Sequence, residues 1–163
     1  MKFWLPYLTS KPMMGSPEPI ASISVMVQRE AAERLVARPG EEGYGMLAVR
    51  AQYAYAPQIV LDVPACMFTP PPKVDSAFVV MPRLEKPAVD AADEKMFFKV
   101  AAAAFAMRRK TMENNLIAAF SVPREQAAGW LSACGIAPGA RGETLSLGDF
   151  AALANLMKED GAG

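Results

Sequence analysis

The pattern of side chains changes character once along this chain, near residue 85, and that change limits the fold more than any single motif. Residues 1–84 are rich in β-branched, aromatic and proline residues, whereas residues 93–160 are rich in alanine, leucine, methionine and charge. The first set suits pleated, half-buried strands and the second suits helices. Between them Glu85-Lys86-Pro87-Ala88-Val89-Asp90 has no periodicity and reads as a connection. The expected organisation is one unit over residues 1–84, a linker over 85–92 and a small helical domain over 93–160.

Within the first block, Ile20 to Val27 is a short apolar run fit for a strand buried on both faces. Gln28 to Ala37 follows with helical spacing, Ala31 with Leu35 and Ala32 with Val36, and Glu30–Arg34 is a favourable exposed pair. Pro39-Gly40 stops that helix. Leu47, Val49, Ala51, Tyr53 and Tyr55 alternate with Ala48, Arg50, Gln52 and Ala54, which predicts a period-two strand. Gln58 to Val63 is a further extended piece, and Ala77 to Met81, apolar on both faces, is a central strand. Strand, helix and further strands in this order predict an α/β fold.

The second block predicts a helix over Lys95 to Phe120 with Phe98, Ala101, Phe105, Met112 and Leu116 on one face. Ser121 and Pro123 open a second helix that Gly135 ends. Ser146 caps the last one, with Asp149 three residues on and Leu145 and Phe150 at the two staple positions. Its buried stripe is Leu147, Phe150, Ala154 and Met157.

What such a chain can do is narrowed by what it lacks. Its 163 residues contain no histidine, which removes Ser-His and Cys-His nucleophile pairs, histidine bases and histidine-ligated metals. Cys66 and Cys134 are the only cysteines and are not in a Cys-x-x-Cys spacing, so no metal site is expected and a reducing cytoplasm is. No segment reaches the roughly 18–20 apolar residues of a membrane span. Lys+Arg and Asp+Glu are each 17, so any attraction for nucleic acid must come from a local patch. Neither a Gly-x-Gly-x-x-Gly turn nor a Walker loop is present.

Three local motifs remain. Leu5-Pro6-Tyr7 is a strand-end turn whose aromatic either packs on the core or stacks on a flat ligand, with carbonyls fixed by Pro6. In Phe68-Thr69-Pro70-Pro71-Pro72-Lys73-Val74-Asp75-Ser76, prolines stiffen the approach to the Ala77 strand. Phe68 either plugs a gap or faces Tyr7 across a slot, with Lys73 near a phosphate. Arg108-Arg109-Lys110 is a basic knot in the long helix. Either arginine could bridge to the sheet block, for instance to Asp75, or meet a phosphate, and Lys110 is either a phosphate contact or a solvated charge.

Taken together, several stretches resemble the ribosomal RNA small-subunit adenine dimethyltransferases, the KsgA/RsmA family. They are the run Val27 to Gly40, Tyr44-Gly45, Phe68 to Ser76, Phe105 to Leu116, and Arg141-Gly142-Glu143-Thr144-Leu145-Ser146 with Phe150. The resemblance implies a truncated Rossmann-like methyltransferase sheet over 1–84 followed by a small all-helical C-terminal domain. It implies S-adenosylmethionine as the family's cofactor and small-subunit rRNA, or the small ribosomal subunit, as partner. In the family, an Asn-Leu-Pro-Tyr-type motif receives the target amine while rings stack on the flipped base. Leu5, Pro6 and Tyr7 would occupy that motif and Phe68 the second stacking position, with Lys73, Arg108, Arg109 and Lys110 facing RNA. Two departures matter: the motif's Asn position holds Trp4, and the Gly-rich turn that binds the donor is absent, so the chain alone is expected to be inactive and not to bind the donor. The rival reading is a non-catalytic RNA-binding or ribosome-associated module. Either way, an apolar strand at an open sheet edge offers a route to self-association.

Overall fold

The computed structural model describes residues 20–161, and among these it shows one three-stranded sheet and six helices. In chain order these are β1 (Ser22–Gln28), α1 (Arg29–Val36), α2 (Met46–Ala54), β2 (Gln58–Val63), β3 (Ser76–Pro82), α3 (Glu94–Ala106), α4 (Met112–Phe120), α5 (Arg124–Ala133) and α6 (Leu147–Glu159). Short 3-10 turns lie at Ala65–Met67 and Gly142–Thr144. Among the described residues, those up to Ala37 with Glu42–Ala88 form one compact unit. Arg38–Glu41 with the residues from Val89 onward form the second.

In the first unit β3 is central, antiparallel to β1 on one side and to β2 on the other. This is the position its two-sided apolar run predicts. Ala77, Val79 and Met81 are buried, and α1 packs on the sheet. α2 packs on α1, and Gln52 Nε2 donates to the carbonyls of Leu35 (3.1 Å) and Ala37 (2.8 Å). Those carbonyls lie at the C-terminal end of α1, where no helical amide follows to satisfy them.

Two expectations for this unit are corrected. The segment Leu47 to Tyr55 is helical, not a strand. Ala48, Val49 and Ala51 are all fully buried and Ala54 nearly so, on several sides of the helix. With alanines belonging to the core, the apparent alternation vanishes and helix propensity decides. β1 is not buried on both faces: Ile23, Val25 and Val27 are half-buried while Ser22, Ser24, Met26 and Gln28 are exposed. Among the described residues it is an edge strand, and its serines give the period of two that marks one covered face. The other face carries Met26 and Leu61, 51% and 60% exposed, both opposite Phe78.

The second unit closes around Phe97, Val100, Met112, Leu116, Phe150, Leu153 and Met157, all fully buried. Phe105 meets Phe150 edge to face at 6.0 Å between centroids. The helix expected over Lys95–Phe120 is broken into α3 and α4 by residues 107–111. Thr111 takes the N-cap of α4, its Oγ1 accepting from the Asn114 amide, and the Lys110 amide closes a turn onto the Met107 carbonyl at 2.9 Å. The apolar period runs on across this break, which hides it in the sequence. Ser121 does not open α5 but ends α4 in the left-handed conformation (φ 54°), and Pro123 is the N-cap of α5. Gly135, with φ +69°, terminates α5 as expected.

Ser146 and Asp149 form the anticipated capping box: Oγ of Ser146 accepts the Asp149 amide and the Asp149 carboxylate accepts the Ser146 amide at 2.7 Å. Ser146→Ala is expected to cost about 1 kcal/mol, within the range of about 0.5–2 for cap removal. A lower urea midpoint at unchanged slope is the readout.

Candidate nucleic-acid interface

Each unit carries one of the predicted motifs. In the first, the loop from Ala65 to Asp75 links β2 to β3. Asp75 anchors it twice: its Oδ1 accepts the Ala65 amide at 2.9 Å and its carbonyl accepts the Arg29 amide at 3.0 Å. Asp75 is thereby engaged within its own unit, in this loop. Phe68 is half-buried at the exit of the 3-10 turn, and Lys73 is exposed with no acidic partner among the described residues. An open cavity of about 420 Å³ lies between the loop and the start of α1, lined by Gln28, Arg29, Glu30, Glu33, Lys73 and Asp75. Arg29 is held by Glu33 at 3.0 Å and by Asp62, and these hydrogen bonds push its pKa above the ordinary guanidinium value. Lys73 is thus, among the described residues, the cation of this cavity without an acidic partner. Trp4, Leu5, Pro6 and Tyr7 lie outside the described residues, so the structure does not place them against Phe68.

In the second unit, Arg108, Arg109 and Lys110 sit in the turn between α3 and α4, not on a helix. All three are exposed. Arg109 and Lys110 pair with no acidic side chain among the described residues, whereas Arg108 Nε lies 3.7 Å from Glu143 Oε2. The turn is short and its base is firmly fixed. Asn115, 1% exposed, donates Nδ2 to the Ala104 carbonyl at 3.0 Å, filling one of the acceptors left over at the end of α3. The Met112 amide donates to the Ala140 carbonyl at 2.8 Å. Gly142 packs its backbone so closely on Ala104 that a Cβ would lie 2.2 Å from that same carbonyl oxygen. Arg124 ties α5 to α4 through Glu113 (2.9 Å) and Asn114 (3.2 Å).

The sequence reading singled out the three cations but missed what supports them. Nothing local shows that Asn115 reaches the Ala104 carbonyl or that Arg141 and Glu143 reach Arg108. The remaining thiols are free, and burial pushes the Cys134 thiol up in pKa. Among the described residues no cluster of acidic, cysteine or histidine side chains could hold a metal ion. Among the described residues no helix is long and apolar enough to cross a membrane.

Comparison with known proteins places these features in context. The model of the ribosomal RNA adenine dimethylase family matches residues 5–159. Ribosomal RNA small subunit methyltransferase A of Streptococcus sanguinis is 42% identical over 96% of this chain and 57% of its own length. The protein of the same name from Macrococcus caseolyticus is 43% identical over 94% of this chain and 54% of its own. This chain therefore spans little more than half the length of these relatives. Among solved structures, a dimethyladenosine transferase from Plasmodium falciparum superposes with a TM-score of 0.70 at 21% identity, covering 91% of this chain and 61% of that one. The 23S rRNA methyltransferase ErmE does so at 0.62 and 22% identity, covering 89% and 57%. The α/β fold is shared with both.

Proposed function

Because this chain belongs to the ribosomal RNA adenine dimethylase family, we propose that it serves the dimethylation of adjacent adenosines in small-subunit rRNA and that its own part is to hold that RNA. The observation that carries the reading is the basic turn: three consecutive exposed cations, two without an acidic partner among the described residues, projecting from a fixed junction of two helices. Such a group attracts phosphates without reading sequence and fixes the register of a bound strand. In this reading residues 1–84 are the C-terminal part of a Rossmann-like methyl-transfer domain acting in the cytoplasm. Leu5, Pro6 and Tyr7 receive the target base, Phe68 stacks on it, and Lys73 contacts a phosphate.

S-adenosylmethionine supplies the methyl group in this family reading, but the described residues do not fit it. β1 runs directly into α1 at Gln28-Arg29, β2 reaches its 3-10 turn through Pro64, and residues 83–93 after β3 contain no glycine. None of these junctions offers the close-approach turn that cradles such a donor. This polypeptide alone is expected to be inactive.

The test is RNA binding across a salt series, with a hairpin from the 3′ end of small-subunit rRNA. Replacing Arg108, Arg109 and Lys110 together by alanine should make the log–log salt slope less negative by about two to three, at roughly 0.9 per phosphate contact. Affinity at low salt should fall on the order of a hundredfold. Equal affinity and slope in the parent and the triple variant would remove the basic turn from the interface and this reading with it.

A further inference from the structure

Resting on that RNA-binding reading, we infer that Glu143 is an internal competitor for RNA phosphate, an anion built into the cationic surface between Arg108 and Arg141. Arg108 Nε is 3.7 Å from one carboxylate oxygen of Glu143 and Arg141 Nη1 is 3.9 Å from the other. Both distances are ion-pair contacts beyond hydrogen-bond reach. They differ from the made bonds elsewhere in the molecule, such as Arg124–Glu113 at 2.9 Å. The two guanidinium groups are therefore drawn toward one charge while their N–H donors stay available.

The exposure of the partners is unequal. The Arg108 and Arg141 side chains are 84% and 56% exposed, whereas that of Glu143 is 33% exposed. Glu143 stands on the 3-10 turn Gly142–Thr144, whose seat on Ala104 leaves no room for a Cβ at Gly142. Its carbonyl accepts the Gly40 amide at 2.7 Å, and Thr144 Oγ1 closes the turn onto the Arg141 carbonyl at 2.9 Å. The backbone that carries the anion is held in place, and the cations beside it are the more exposed side chains.

A phosphate bound between Arg108 and Arg141 gains shorter, bidentate, charge-assisted bonds but must sit beside a carboxylate of its own sign. A single phosphate ion gains little from that exchange. A nucleic-acid strand whose neighbouring phosphates meet Arg109 and Lys110 at the same time offsets the repulsion. Glu143 thereby sets the threshold for binding: it favours a strand that engages the whole turn over isolated anions and partial matches.

The experiment uses the full chain, a 20-base-pair RNA duplex of mixed sequence, and inorganic phosphate as competitor. Glu143→Gln keeps the shape and removes the charge. It should bind the duplex about three- to tenfold tighter at low salt, with a slope more negative by about one, because one more phosphate is neutralised. Its complex should yield to millimolar phosphate where the parent's does not. Glu143→Asp, which keeps the charge, should retain the parent slope, and Glu143→Ala repeats the test if the Gln variant does not fold. Equal or weaker binding by a folded, uncharged variant at unchanged slope overturns the inference and leaves Glu143 as an orienting group. The triple alanine variant separates the two failures: if it abolishes duplex binding while Glu143→Gln changes nothing, only this inference falls. A parent chain that binds no duplex overturns the RNA-binding reading and the inference together.

Discussion

Phe150→Ala is expected to lower the stability of the helical unit by about 3–5 kcal/mol, the range for truncating a buried aromatic ring. Phe150 is 0% exposed, stands in the first turn of α6 and meets Phe105 edge to face. Its neighbours in the core, Phe97, Leu153 and Met157, sit on helices whose backbones are tied by caps and cross-links and cannot close the hole. Cross-links of that kind include Asn155, which accepts the Ala92 amide at 2.8 Å and donates to the Asp90 carbonyl at 3.0 Å. A domain of this size has on the order of 5–15 kcal/mol to lose. The melting transition followed by circular dichroism at 222 nm should drop by roughly 12–40 °C, at about 4–8 °C per kcal/mol. A drop below 5 °C would show that the ring is not central to this core.

Amide hydrogen exchange should divide the molecule more sharply still. Amides of β1 from Ile23 to Val27 are expected to exchange at least about a hundredfold faster than those of α3 from Val100 to Ala104, because local opening spans the range from near zero to the global free energy. β1 pairs with β3 alone among the described residues, and none of its side chains is fully buried. α3 buries Met96, Phe97, Val100, Ala101, Ala103 and Ala104. The exposed apolar pair Met26 and Leu61 beside Phe78 adds a second weakness, since an apolar face and an open strand edge invite pairing with another copy. Equal protection in a protein shown to be monomeric would mean that the sheet is self-sufficient.

How much of this was legible depended on whether local pattern and tertiary environment agreed. β3 read correctly as central because Ala77 to Met81 leaves no polar face, and the box at Ser146 read correctly because a cap is a short-range device. α2 was misread because alanine fits a helix core and the polar side of a strand equally well in a one-dimensional pattern. The break between α3 and α4 was hidden by Met112 and Leu116 staying in phase with Phe105. Its one local signal was Thr111, a capping residue inside an apparent helix. At the candidate interface the cations were visible as a triplet. Asn115, Gly142 and Glu143 were not, because their roles rest on approaches to Ala104, Gly40 and Arg108 that only the folded chain creates.

Placing the three cations in a turn, and not along a helix, also changes the field they feel. On a continuous helix, successive residues would point about 100° apart and surround the cylinder. Here the triplet follows directly on the C-terminal end of the 13-residue α3, where the aligned peptide dipoles amount to about half a negative charge. The N-terminal end of α4 would work against this, but Thr111 at its N-cap supplies an acceptor and Glu113 in its first turn a carboxylate. The backbone itself thus acts as a counter-charge to three adjacent positive side chains. They can stay together in water, with Glu143 beside Arg108 as the one acidic partner among the described residues, until a polyanion takes over that task.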